Sequence, residues 1–249
     1  MSERIAKVLA RAGLCSRREA ERWIAGGRVA VDGAVLTSPA CNVDESSAIA
    51  VDGKPLPMRG PARLFRFHKP AGLVTTHRDP EGRATVFDTL PAGLPRLVSV
   101  GRLDLNSEGL LLLTNDGGLA RELELPSRGW IRRYRVRVHG AVTQEQLVPL
   151  DRGMRLDGVQ YGPITATLDR VQGANAWLTV SLREGRNREI RKVMAALGLD
   201  VTRLIRVAYG PFQLGDLPRG AVAEVPRGVM RAELGRELVP PLAHHRRPA

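Results

Sequence analysis

The sequence predicts an α+β fold in which a small N-terminal helix-helix-strand domain precedes a larger domain of strands and helices. Three observations carry this prediction. Two short amphipathic segments open the chain and are followed by alternating apolar runs. A stretch rich in proline and glycine comes next, at residues 54–61. Beyond it, strand-like and helical segments are mixed without the regular alternation of a βαβ array.

The first two segments are predicted to be helices. Residues 3–12 place apolar side chains at helical spacing, with Ser2 as the expected cap and Gly13 as the expected end. Residues 16–19 have the S-x-x-E pattern of a capping box, and the helix that follows is expected to end at Gly26. Arginines occupy the predicted exposed side of this second helix.

Two short strands are predicted next, over residues 29–35 and around residues 49–53. Each apolar run contains an Asp-Gly pair, Asp32-Gly33 in the first and Asp52-Gly53 in the second, which is a strong turn signal. We therefore expect a compact unit over the first ~58 residues.

The segment at 54–61 has no hydrophobic period and is predicted to be a linker. This divides the chain into residues 1–60, residues 61–239 and a basic, mobile tail at 240–249. In the second domain, strands are expected at 64–68, 110–113, 134–138 and 177–182, and helices at 143–150 and 188–197.

The amino-acid composition indicates which partners, metals and compartment to expect. Lysine and arginine number 38 against 26 acids, a formal net charge of +12, which favours a polyanion. The two cysteines form no C-x-x-C pair and the five histidines have no ligand spacing, so we expect no metal and a reducing compartment. No apolar run approaches the ~18 residues of a membrane span, and basic residues interrupt the N-terminus. A soluble, cytoplasmic protein is expected.

The N-terminal run Arg4–Ala20, together with Gly27–Gly33, resembles the RNA-binding domain shared with ribosomal protein S-four. The resemblance implies that four arginines face RNA phosphates and supply affinity without reading sequence. The alternative for each is a solvated helix face. These arginines are Arg17, Arg18, Arg22 and Arg28.

Residues 100–117 carry the most specific motif, a Gly-Arg-Leu-Asp loop before a run of four leucines. A lone loop aspartate is usually a turn former or a helix cap. The whole string, however, resembles the signature loop of pseudouridine synthases of the ribosomal small-subunit synthase A class, and Asp104 falls on that family's catalytic aspartate. Residues 78–83 and 185–189 look most like the family's large-subunit synthase B subgroup.

Four further segments match the family in order. Residues 67–72 resemble its lysine-proline element and contain Lys69, while residues 132–136 place Tyr134 on its active-site tyrosine. Residues 184–194 resemble the third motif, and residues 203–207 its apolar floor. The resemblance implies a catalytic domain built on a mixed, mainly antiparallel sheet, a ribosomal RNA substrate and no cofactor.

The reaction breaks the N-glycosidic bond of uridine and rejoins uracil C5 to the sugar. It needs an ionised carboxylate beside C1′ and C2′ of a nucleotide lifted from its stack. Asp104 either attacks C1′ or removes the C2′ proton, and the sequence does not choose. A carboxylate in a partly dry pocket requires a basic partner, expected to be Arg191, with Arg186 and Arg188 as alternatives that otherwise bind phosphate.

Tyr134 is expected to stack on the flipped base and Leu204 to pack beneath it. Arg102 fills the gap left by the base, grips a phosphate, or pairs with a local acid, and Lys69 anchors phosphate or a loop. We also expect a monomer that meets its RNA free or in a pre-ribosomal particle.

Three alternatives stay open. One is a small-subunit RNA substrate, and another is a non-catalytic RNA-binding assembly factor. The third is a metal-dependent nuclease using Asp104, Glu108 and Asp116. Against it, Glu108 precedes a Gly-Leu-Leu run, and Asp116-Gly117 is expected to form an ordinary turn.

Overall fold

A computed structural model describes residues 2–57 and 60–240. It confirms a mixed α+β protein. The helices are α1 Ile5–Arg11, α2 Arg17–Ala25, α3 Gly117–Glu124, α4 Gln144–Leu147, α5 Glu189–Ala196 and α6 Arg227–Leu234. The first strands are β1 Glu3–Arg4, β2 Val29–Val31, β3 Ala34–Val35, β4 Asn42–Val43, β5 Ile49–Val51 and β6 Lys54–Pro55. The others are β7 Leu64–Lys69, β8 Val98–Val100, β9 Glu108–Thr114, β10 Arg132–His139, β11 Met154–Leu156, β12 Val159–Tyr161, β13 Ile164–Gln172, β14 Asn175–Leu182, β15 Asp200–Tyr209, β16 Phe212–Gln213 and β17 Val222–Glu224.

The N-terminal helices pack on a four-stranded sheet in the order β3-β2-β5-β6. The capping box at the start of α2 is confirmed, because Ser16 accepts from the Glu19 backbone N–H and the Glu19 carboxylate accepts from that of Ser16. Both Asp-Gly turns are confirmed as well, since Asp32 and Asp52 have φ of 51° and 50°. Such positive φ values suit the tight turns between antiparallel strands.

Two N-terminal predictions are wrong. The first helix does not start from a Ser2 cap, because Glu3 and Arg4 pair with β4 as strand β1 and the helix begins only at Ile5. The predicted linker also begins too early, since Lys54 and Pro55 form β6 against β5. The exposed sheet edge accepts a proline that periodicity alone assigns to a loop.

The second part of the chain is built on a nine-stranded sheet in the order β13-β14-β10-β15-β9-β7-β17, with β8 and β16 on side pairings. Its pairings are antiparallel except that of β9 with β15. Strand β9 is buried along its whole length, and alternate leucines enter two separate cores, Leu111 and Leu113 on one face and Leu110 and Leu112 on the other. A strand covered on both faces explains the unbroken leucine run.

The four strands expected in this part are confirmed, and each is longer than expected. The helix expected at 188–197 is α5, and that at 143–150 is α4 continued by a 3₁₀ turn, Val148–Arg152. The expected Asp116-Gly117 turn is instead the start of α3, with Asp116 accepting from the backbone of Gly118 and Leu119. Residues 241–249, most of the predicted tail, lie outside the described residues.

Candidate active site

A cavity of about 540 Å³ lies where the loop before β9, the inward face of β10 and β15, and the start of α5 meet. We call it the central cavity. Several of the predicted site residues line it, namely Arg102, Asp104, Tyr134, Arg186, Arg188 and Leu204. Its wall combines a few apolar side chains with many polar ones, as expected for a pocket that admits one polar base beside a charged backbone.

Asp104 lies in the loop between β8 and β9 and is partly exposed. Its carboxylate lines the central cavity. Among the residues described, no hydrogen bond or ion pair engages this carboxylate. The loop itself is well anchored, because the Ser107 backbone N–H donates to the Asp104 carbonyl at 3.0 Å. Gly101, at the start of the loop, donates its N–H to the Glu124 carboxylate at 2.6 Å.

Lys69 is fully buried at the end of β7. Its Nζ donates to the carbonyls of Asp104 at 3.1 Å and Ser107 at 2.9 Å, with further contacts to those of Pro70 and Leu105. Burial lowers the pKa of Lys69 to about 8, and Asp104 and Glu108 oppose that shift. The expected phosphate contact is corrected, since a side chain with no exposed surface cannot reach RNA. The loop-anchoring alternative fits.

Arg191, on α5, also binds the main chain of the loop that contains Asp104. Its Nη2 donates to the Asn106 carbonyl at 3.1 Å, and its Nη1 donates to that of Val201 at 2.8 Å. Burial lowers the pKa of Arg191, the positive charge of Arg188 adds to that effect, and the negative charge of Asp104 opposes it. The Arg191 guanidinium therefore interacts electrostatically with the Asp104 carboxylate, while its hydrogen bonds are made to main-chain carbonyls.

Tyr134 and Leu204 come from neighbouring strands and face inward. Tyr134 on β10 is directly opposite Arg206 on β15, and Leu204 is opposite Val136. Since residues two apart on a strand share a face, Tyr134 and Leu204 lie on the same side of the sheet. Both are nearly buried, at 8% and 7% exposure, yet both line the central cavity. This suits an apolar surface against which a base could pack.

Three arginines surround the mouth of the cavity. Arg102 is exposed and forms no ion pair with the acids that the structure describes, so the local acid partner considered for it is not found there. Arg186 donates Nε–H to the Glu184 carboxylate at 2.7 Å. Arg188 is exposed with φ of 52°, an unfavourable backbone for a side chain of this type, at the N-cap of α5.

Sequence reasoning missed two buried charged groups of the cavity wall. Arg206, assigned to an apolar floor, is 3% exposed and donates Nε–H to the Leu110 carbonyl at 2.7 Å. Glu189 is also 3% exposed, and its Oε2 accepts the Arg186 backbone N–H at 2.9 Å. Burial raises the pKa of the Glu189 carboxyl. Strand alternation from Leu204 could have identified Arg206 as inward-facing.

The other acids of the signature segment are engaged elsewhere. Glu108 is buried and accepts two hydrogen bonds from Arg203, at 2.8 and 3.1 Å, and one from Arg219 at 2.8 Å. Asp116 caps α3. Over residues 2–57 and 60–240, no group of three or more His, Cys, Asp or Glu side chains has the arrangement of a metal site.

The N-terminal arginines divide into two kinds. Arg17, Arg18 and Arg22 are exposed on α2 and have no ion pair with a described acid. Arg28 forms a two-point contact with Asp52, at 2.9 and 2.5 Å, and its guanidinium lies 4.7 Å from the Trp23 ring. Its charge is thus already matched within the domain by an ion pair that the sequence did not predict.

Comparison with known proteins identifies the family. Residues 63–196 match the RNA pseudouridylate synthase family, and residues 3–55 match the S4 domain. The chain belongs to the RNA pseudouridine synthases. An RNA pseudouridine synthase of Rickettsia felis is 48% identical over 224 residues, which cover 90% of this chain and 96% of that protein. The ribosomal large subunit pseudouridine synthase B of Salmonella typhi is 45% identical over 232 residues, covering 90% and 80%.

A solved structure supports the same assignment. The crystal structure of a pseudouridylate synthase superimposes with a TM-score of 0.64 at 25% identity, covering 93% of this chain and 99% of that one. The pseudouridine synthase is therefore an RNA-modifying isomerase with an N-terminal RNA-binding S4 domain, and RNA is its partner. Within the described part of the chain, no helix has the length and apolar character needed to cross a membrane.

Proposed function

We propose that this synthase isomerises one uridine of large-subunit (23S) ribosomal RNA and that Asp104 is its catalytic nucleophile. One observation carries the assignment of Asp104. Asp104 lines the central cavity and its carboxylate has no side-chain partner among the described residues, while the loop around it is held by buried Lys69 and half-buried Arg191. A free carboxylate on a fixed backbone is the arrangement that attack on one sugar carbon requires.

The target uridine would leave its stack and enter the central cavity. Tyr134 and Leu204 offer apolar surface for the uracil ring, and the tyrosine hydroxyl is available for proton movement. The Asp104 carboxylate then acts either at C1′, by direct attack, or at C2′, by removing a proton. Both routes need the same residue at the same sugar edge, and both end with C5 joined to C1′.

Arg191 is proposed as the basic partner of Asp104. Its hydrogen bond to the Asn106 carbonyl fixes the loop, and its charge lies close enough to interact with the carboxylate. In a partly dry pocket such a cation favours the ionised carboxylate. Arg186 and Arg188 line the cavity and are exposed, which suits the alternative of phosphate binding.

RNA binding is proposed to use two surfaces. Arg102, Arg186 and Arg188 would contact the strand around the flipped nucleotide, with Arg102 filling the space that the base leaves. Arg17, Arg18 and Arg22 of the S4 domain would add charge-driven affinity at a distance. Arg28 contributes less, because Asp52 already neutralises it.

The choice of large-subunit RNA is supported by a relative of 45% identity that carries that name. Small-subunit RNA is the alternative substrate. We further propose a cytoplasmic monomer that meets its RNA free or in a pre-ribosomal particle. The proposed units are the S4-type domain with its linker at 1–60, the catalytic domain at 61–239 and a basic tail at 240–249.

The test uses large-subunit RNA carrying tritium at uracil C5, because joining that carbon to the sugar must release the label to water. We expect release by the full chain in the presence of a chelator, and loss of release in Asp104→Asn. Asp151→Asn, which alters an exposed acid outside the central cavity, is the matched control. Tritium release from small-subunit RNA but not from large-subunit RNA would show that small-subunit RNA is the substrate. RNA binding without release from either RNA would favour the non-catalytic factor.

A further inference from the structure

The outward face of β10 carries a row of three arginines. Along this strand, Tyr134, Val136 and Val138 are buried, while the residues that alternate with them are exposed. Three of these exposed residues are Arg133, Arg135 and Arg137, which we call the arginine stripe. Residues two apart on a strand are separated by ~6.8 Å, so the row extends over ~14 Å.

The cross-strand neighbours of the stripe on β14 are uncharged. Ser181, Thr179 and Trp177 lie directly opposite Arg133, Arg135 and Arg137 in turn. The guanidinium of Arg135 lies 4.9 Å from the centre of the Trp177 ring. Each of these neighbours is half-buried, whereas the three arginines opposite them are exposed.

The acids on the strands beside the stripe form no ion pair with it among the described residues, although Asp169 lies next to the neighbour of Arg135. On β15 the opposed residues are Ala208, Ile205 and Arg203, and Arg203 is bound to Glu108. On β13, Asp169 accepts a hydrogen bond from Thr179 at 2.9 Å. Asp200 is opposed to His139, beyond the last arginine.

No member of the stripe forms an ion pair with an acid in the part of the chain that the structure describes. Three like charges side by side on one strand repel one another and do not help the sheet to fold. Neighbouring phosphates would convert that repulsion into attraction and release bound counterions. A row of exposed arginines with no acidic partner among the described residues, in a protein whose partner is RNA, is therefore complementary to a phosphate backbone.

The stripe cannot reach the target nucleotide, because Tyr134 and Leu204 line the central cavity from the opposite face of the same sheet. Whatever binds the stripe must come from another part of the partner molecule. We propose that the arginine stripe docks the phosphate backbone of a second RNA segment, remote from the flipped uridine, and thereby adds affinity for long folded RNA without reading sequence. This inference rests on the RNA substrate of the proposed function.

The test replaces Arg133, Arg135 and Arg137 together by glutamine. The matched control replaces three exposed arginines outside this face, Arg152, Arg155 and Arg236, so that both variants lose the same charge. Affinity for full-length large-subunit RNA is measured against salt. We expect the stripe variant to lose about 2 to 3 from the slope of log affinity against log salt, since each phosphate contact contributes about 0.7 to 0.9. At 0.1 M salt this corresponds to a loss on the order of 100-fold.

Two further measurements keep the result interpretable. Tritium release at saturating RNA is expected to be unchanged in the stripe variant, with only the concentration needed for saturation raised. This separates the inference from the proposed function, whose failure would remove release from the wild type. A triple lysine variant is expected to retain the salt slope, because charge and not arginine geometry is required.

Several results would overturn the proposal. Equal slopes for the stripe and control variants would mean that only total charge matters. Loss of release at saturation would mean that the stripe supports the fold of the active site. Unchanged affinity for naked RNA, with binding to a pre-ribosomal particle lost, would assign the face to an acidic protein partner instead.

Discussion

Asp104 and Glu108 are four residues apart in one loop and strand, yet their carboxylates have opposite surroundings. Asp104 is partly exposed, lines the central cavity, and has no side-chain partner among the residues described. Glu108 is buried and accepts hydrogen bonds from Arg203 and Arg219. The Arg203 hydrogen bonds hold the pKa of Glu108 below its ordinary value, against the opposing effect of burial.

The difference shows how a reactive carboxylate can be both fixed in place and available. The basic groups near Asp104 bind the main chain of its loop, through the carbonyls that Lys69 and Arg191 contact. Glu108, by contrast, is bound through its carboxylate, so none of its charge is left to react. Anchoring the backbone while leaving the side chain free is a form of preorganisation, because it fixes the position of the nucleophile without occupying its carboxylate.

The largest expected effect comes from Asp104→Asn. Because this carboxylate is proposed to form or break bonds, we expect the single-turnover rate to fall at least about 10⁴-fold, equivalent to about 5 kcal/mol of activation free energy. Because no described residue pairs with its carboxylate, we expect the melting temperature to stay within about 2 °C of wild type. Parallel rapid-quench and thermal unfolding measurements check both. A large fall in melting temperature would show that Asp104 is structural.

Lys69→Met is expected to have the next largest effect. The variant keeps the apolar stem but removes the donor to the Asp104, Leu105 and Ser107 carbonyls, so the loop would lose its fixed geometry. We expect the rate at saturating RNA to fall about 100-fold, as small misplacements of reacting groups do, with RNA affinity changed less than about twofold. Filter binding and tritium release separate the two. A loss of RNA affinity as large as the loss of rate would indicate that Lys69 contacts RNA.

The pKa of Lys69 gives this prediction a pH dependence. With a pKa of about 8 in the folded protein, the ammonium loses its proton above that pH, so we expect the wild-type rate to decline there. In the unfolded chain the proton is held up to about 10.5, so between these values the unfolded state binds more protons. The contribution of Lys69 to folded stability therefore rises with pH while the rate falls. Lys69→Met is expected to abolish this decline in rate.

Much of the fold could be predicted from sequence because the local cap and turn signals agree with the structure that the folded chain adopts at those positions. The capping box at Ser16 and the Asp-Gly turns need only neighbouring residues, and the structure confirms them. The Ser2 cap was wrong because a distant strand, β4, pairs with Glu3 and Arg4. Helix α3 was missed because its Asp116-Gly117 start has the same sequence as an ordinary turn. Strand pairing between distant segments, and a cap that has the same sequence as a turn, leave no hydrophobic periodicity from which they could be predicted.

The site was predicted by a different route. Motif resemblance indicated Asp104, Tyr134, Arg191 and Leu204, and their roles stay predictions that the experiments above address. Resemblance did not reveal that Lys69 is fully buried or that Arg28 is paired with Asp52. Those facts depend on which strands lie beside β7 and on where the second Asp-Gly turn ends. Burial and pairing are properties of the assembled sheet, so they could not be obtained from residue type and spacing.

Glu108→Gln tests the other side of the comparison. The variant leaves Arg203 and Arg219 beside a neutral amide, and we expect unfolding to become easier by about 2 kcal/mol at pH 7. Because the folded pKa of Glu108 lies below 4.5, this contribution is present above that pH and is lost as pH falls through the folded value. Denaturant titrations of wild type and variant should therefore converge in acid. The rate at saturating RNA is expected to change far less than in Asp104→Asn, and an equal fall would contradict the division of roles.

Glu189→Gln is expected to have the smallest effect, and of opposite sign. Its Oε2 accepts the Arg186 backbone N–H, which a glutamine carbonyl can also do, while Oε1 is buried with no hydrogen-bond partner among the described residues. Burial raises the pKa of Glu189, so the folded state favours the neutral acid and the ionised form weakens folding once pH exceeds 4.5. We expect the glutamine variant to be more stable at pH 7, by up to about 1 kcal/mol, and equal to wild type below pH 4.5. A less stable variant at pH 7 would mean that the Glu189 charge is matched by a partner. In that case Glu189 would be an engaged carboxylate like Glu108, and the contrast with Asp104 would extend to an acid of the cavity wall itself.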